Sequence, residues 1–63
     1  MIVEIYKKVN IGKQYKYALL ITKNIECVPQ KGTFIQFSGQ FFIVERVCYD
    51  VDNCKHYVYT KRI

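Results

Sequence analysis

The chain has no tryptophan, one proline, one histidine, five acidic residues and an odd number of cysteines. Each shortage excludes something. A single proline, Pro29, and three glycines leave no room for a linker or low-complexity tract, and no internal repeat is present. Cys27, Cys48 and Cys54 contain no C-x2-C pair, so we expect free thiols in a reducing, cytoplasmic setting rather than a disulfide framework. A Cys3His zinc site would need all three together with His56. Only Cys54 and His56 are close in sequence, so no metal or other cofactor is expected.

No apolar run approaches the ~20 residues that cross a bilayer. No basic leader with an apolar stretch precedes MIVEIY, so neither a membrane partner nor export is expected. The acids Glu4, Glu26, Glu45, Asp50 and Asp52 form no catalytic pair, and there is no glycine-rich phosphate loop. Without a nucleophile–base constellation, the expectation is a non-enzymatic protein.

What the chain does hold is 51% hydrophobic residues, six tyrosines, four phenylalanines and a net charge of +5. That is the composition of a folded chain, not a disordered one. At 63 residues it is one domain, spanning 1–63, with a marginal core.

Its centre is the stretch PQKGTFIQFSGQFFIVERVCYD, residues 29–50. Pro29 and Gly32 bracket a turn. Thr33, Ile35 and Phe37 then alternate with Phe34, Gln36 and Ser38, the period of a strand. Gly39-Gln40 suits a two-residue hairpin turn with glycine first. In the next strand, Phe42 and Val44 share one parity while Val47 and Tyr49 share the other. An extra residue at Glu45-Arg46 restores a single apolar face, which predicts a β-bulge there.

Before the hairpin, residues 1–9 alternate as a strand, Asn10 to Lys13 turn, and Tyr15 to Thr22 read as a second strand. After it, Asp50 to Asn53 form a polar turn into a last strand, CKHYVYTKR. Five strands with short connections predict an all-β meander curled into a small barrel. The expected core is Val3, Ile5, Leu19, Ile21, Ile35, Phe37, Phe42, Val44, Val47 and Val58.

The pattern P-x-x-G-T-x-I-x-F-x-G-x-x-F-x-V-x-x-V-x-Y-D, from Pro29 to Asp50, resembles that of small SH3-like β-barrel proteins of bacteria, phages and plasmids, many without assigned function. The matching residues are Pro29, Gly32, Thr33, Ile35, Phe37, Gly39, Phe42, Val44, Val47, Tyr49 and Asp50, within about a third of the chain. All are turn or core residues. The resemblance therefore implies a five-stranded SH3-like barrel and carries no catalytic residue with it.

For function, the basic residues are interleaved with tyrosines. Rings flanked by lysine or arginine can stack bases while the charges follow phosphates. Lys16, Arg46, Lys55, Tyr57, Tyr59 and Lys61 are the residues expected to contact nucleic acid. The same composition also suits an ordinary soluble surface, with tyrosine hydroxyls wet and lysines maintaining solubility. The alternative is a protein-interaction module, such as an accessory subunit or an inhibitor from a mobile element, because small barrels offer peptides their aromatics and edge strands.

Overall fold

The computed structural model describes all 63 residues. Five strands, β1 (Ile2–Ile11), β2 (Gln14–Asn24), β3 (Phe34–Phe37), β4 (Gln40–Asp50) and β5 (Lys55–Arg62), form one mixed sheet in the order β2-β1-β5-β4-β3. Neighbours are antiparallel except β1 and β5, which run parallel. There is no helix, and so none long and apolar enough to cross a membrane.

Each strand lies beside its neighbours in sequence, except at β2 and β3. The order is therefore that of a five-stranded meander wrapped on itself with one pairing missing, and the sheet is open rather than a closed barrel. Residues 25–33 join the two unpaired strands, and Ile25 and Val28 of this connection pack against the core. Apolar side chains thus cover part of the seam where a ladder would have closed it. The remainder is a cleft of about 200 Å³ lined by Ile5, Leu20, Ile21, Lys23, Ile35 and Phe37, among others.

The core itself is small. Val3, Ile5, Phe42, Val44 and Val58 are its buried apolar residues, with Leu20, Ile21, Ile35 and Val47 packed around it. Thr60 is the one buried polar residue, and its hydroxyl donates to the Tyr6 carbonyl at 2.9 Å. That bond satisfies a group which would otherwise be costly to bury.

Two bulges let the long strands bend. The first is the one expected near Glu45-Arg46: Val44 lies opposite Thr60 and Arg46 opposite Tyr59, leaving Glu45 unmatched. Val47 thereby returns to the face of Phe42 and Val44. The second was not anticipated. Ile5 pairs with Ile21 and Tyr6 with Leu19, so Leu20 is the extra residue. Leu20 turns to the core, and Leu19, expected inside, is 53% exposed.

Two turns also differ from expectation by one residue. Phe37 pairs with Gln40, so the hairpin turn is Ser38-Gly39, not Gly39-Gln40. Both residues have positive φ, 51° and 75°, which is the mirror-image turn whose twist matches the flanking strands. Upstream, the Thr33 amide donates to the Gln30 carbonyl at 3.0 Å. That places Lys31 and Gly32 at the turn centre, with Gly32 at φ 91° and Pro29 just before it.

Candidate nucleic-acid interface

Residues directly opposite one another in adjacent strands share a face. Arg46 lies opposite Tyr59, Cys48 opposite Tyr57, Asp50 opposite Lys55 and Ile43 opposite Lys61. Five of the six residues expected to contact nucleic acid therefore lie together on the sheet's outer face. Lys16 does not join them. Its neighbours Tyr15 and Tyr17 point outward, where Tyr15 meets Lys8 and Tyr17 meets Tyr59, so strand alternation turns Lys16 the other way.

The outer face is a cluster of stacked rings. Tyr6 stacks on Tyr59 with centroids 5.6 Å apart, and Tyr17 meets Tyr59 edge-on at 4.8 Å. The Arg46 guanidinium lies over Tyr59 at 4.6 Å and over Tyr17 at 5.7 Å, a cation–π arrangement bridging two strands. Tyr57 closes the cluster against Tyr6 at 6.2 Å.

Two of its hydroxyls, those of Tyr6 and Tyr57, are committed inside the protein. Glu4 accepts from the Tyr6 hydroxyl at 2.6 Å and from the Lys55 ammonium at 2.9 Å, and these bonds, in that order, hold its carboxyl below the usual range. The same carboxylate pushes the Tyr6 hydroxyl up to about 12. Asp50 accepts from the Asn53 side chain, the Tyr57 hydroxyl and two turn amides, and is held down at about 2. Tyr57 is pushed up to about 12, chiefly by that bond. Lys8 reaches Glu45 at 3.5 Å. Arg46 and Lys61 are the remaining cations of this face, and both are exposed.

Charge is distributed very unevenly along the chain. Residues 5–25 carry Lys7, Lys8, Lys13, Lys16 and Lys23 and no acid. The other five cations are matched by all five acids, so the whole net charge of +5 resides in residues 5–25, which make up most of the β1–β2 hairpin. Within it, β1 pairs with β5 only from Ile2 to Lys7, and the last ladder rows, from Lys8–Tyr17 to Ile11–Gln14, have no third strand beside them. All residues from Asn10 to Lys16 are exposed. Of this end, only Lys16 was expected from the sequence to take part. The acid-free interval was the signal that marks the rest.

The cysteines and His56 are dispersed. All three cysteines are free and exposed. Cys27 lies in the β2–β3 connection, Cys48 on β4 and Cys54 at the end of the β4–β5 turn with φ 53°. His56 lies opposite Tyr49 with ring centroids 4.6 Å apart. Cys48 lies opposite Tyr57, one row along, so Cys48 and His56 fall on opposite faces.

A separate apolar patch lies at the far edge of the sheet. Phe34 is 68% exposed and Phe41 54%, and with Ile63 and Arg62 they line an open hollow beside the Ser38-Gly39 turn. No protein-family model matches the chain, and no curated protein or solved structure matches it.

Proposed function

We propose that the protein is a small non-enzymatic binding module for nucleic acid. The observation supporting this reading is the run of 21 residues, 5–25, that carries five lysines and no acid, of which only Lys8 is ion-paired, to Glu45 on β4. Dispersed lysines on a soluble surface have no reason to avoid acids over 21 consecutive residues, whereas a polyanion-binding surface does. Tyr15 and Tyr17 on the same hairpin add aromatic faces beside the cations. Arg46 and Lys61 extend the surface across the outer face, while Lys55, Tyr57 and Tyr59 organise it. The strand order supports an SH3-like barrel as the parent architecture, with closure of β2 on β3 as the missing step. Three exposed thiols suit a reducing, cytoplasmic setting.

The test is a fluorescence-anisotropy titration at low salt against mixed-sequence single strands and duplexes. Binding that weakens steeply with salt is expected, because each neutralised phosphate releases condensed counterions. Failure to bind at tens of micromolar protein, within or above the usual non-specific range, would refute the proposal. The exposed Phe34, Phe41 and Ile63 favour the second reading, a protein-interaction module. In that case Phe41→Ser abolishes partner binding or self-association and leaves nucleic-acid affinity unchanged.

A further inference from the structure

The β1–β2 hairpin ends in a segment that the core does not require. Residues 8–17 read KVNIGKQYKY, with three lysines, two tyrosines and no acid. They form four ladder rows past the last β1–β5 pair; the first, Lys8–Tyr17, still packs on Glu45 and Tyr59, which leaves three rows beyond it, about 10 Å at the usual strand rise. Its base is anchored by Lys8, which reaches Glu45 at 3.5 Å and lies over the Tyr15 ring at 4.4 Å. Its tip turns on Gly12, whose φ of 62° permits a two-residue connection. Ile11 is 57% exposed and Tyr15 59%, and neither is covered by the sheet.

We infer that residues 8–17 are a two-stranded arm that enters the major groove of duplex DNA. The inference rests on the nucleic-acid reading above and specifies its duplex substrate and its element. The fit is one of shape and charge. The major groove is about 12 Å wide and 8.5 Å deep and admits a two-stranded β-ribbon. An arm that runs three rows beyond its last contact with β4 and β5 offers such a ribbon, and at about 10 Å it exceeds the groove depth. Lys13 in the turn and Lys16 on the inner face are both exposed and supply the charge that meets phosphates. Ile11 and Tyr15 supply apolar surface at groove depth, where thymine methyl groups are exposed. Gln14 and Asn10 are amides that can meet base edges.

The experiment uses the full chain, a labelled mixed-sequence DNA duplex and the matching single strand. Methyl green, a major-groove ligand, should displace the protein from the duplex, and distamycin, a minor-groove ligand, should not. Lys13→Gln with Lys16→Gln should flatten the slope of log K against log salt on the duplex by about 1.8, at roughly 0.9 for each phosphate that the variant leaves unneutralised. Circular dichroism checks that the double variant keeps its fold. Displacement by distamycin alone, an unchanged slope in the double variant, or binding confined to single strands would each overturn the arm while leaving the nucleic-acid reading standing. A wild-type protein that binds neither strand form would overturn both.

Discussion

Around β4 and β5, acids and cations are tied together. Asp50 accepts from Tyr57 and from its own turn, Glu4 holds Lys55 and Tyr6, and Glu45 reaches across to Lys8. From Ile5 to Ile25, along most of β1 and all of β2, five lysines stand without a single acid among them. The first region behaves as structure, with its polar groups directed at one another above a small buried core. The second leaves like charges largely unrelieved on a hairpin that outruns its support. Such repulsion weakens a folded state, and under the proposed function the bound polyanion relieves it.

That contrast makes the two regions respond oppositely to substitution. The largest effect belongs to Phe42 on β4, which is 1% exposed. Phe42→Ala should cost about 3–5 kcal/mol, a large share of the total stability of about 3–9 kcal/mol for a chain this long, read as a strongly lowered midpoint in a urea titration. Next is Thr60→Val, which keeps the shape but removes the donor to the Tyr6 carbonyl. A loss of about 1–2 kcal/mol is expected in the same titration. By contrast, Lys13→Gln with Lys16→Gln should change stability by no more than about 0.5 kcal/mol, because both residues are exposed and neither packs on the core.

The acid–tyrosine pairs give a smaller, pH-dependent signature. Asp50 is held down at about 2, so its contribution is complete above the ordinary aspartate value of 3.8 and is lost as pH falls through about 2. Tyr6 and Tyr57 are pushed up to about 12, so theirs is complete below the ordinary value of 10 and is lost as pH rises through about 12. Melting temperature followed by circular dichroism should be flat between these limits and fall at both ends. Asp50→Asn should remove much of the acid limb.

How much of this was legible beforehand varies by element. The bulge at Glu45 was readable because apolar parity switches between Val44 and Val47, and only an extra residue restores one face. The bulge at Leu20 was not, because in the run Leu19-Leu20-Ile21 either parity looks apolar. Ser38 escaped notice as a positive-φ residue because Gly39-Gln40 offered a commoner solution to the same turn. Closure of the barrel depends on whether residues 25–33 hold β3 against β2, a tertiary matter that turn chemistry does not encode. The tyrosine cluster was foreseen as a surface, but its internal hydrogen bonds required the register. The arm required knowing where β5 stops pairing with β1, although its charge was visible from the start.

The most direct test compares two double variants that each remove two positive charges from the same protein. One is Lys13→Gln with Lys16→Gln on the β1–β2 arm; the other is Lys61→Gln with Arg62→Gln at the end of β5. Both lower the net charge equally, so general attraction to a polyanion changes alike, and only the position of the loss differs. Salt-dependent anisotropy on one DNA duplex should give a slope flattened by about 1.8 for the arm variant, with a clearly smaller change for the β5 variant. Equal changes in the two, or a larger one in the β5 variant, would contradict the assignment of binding to the acid-free hairpin.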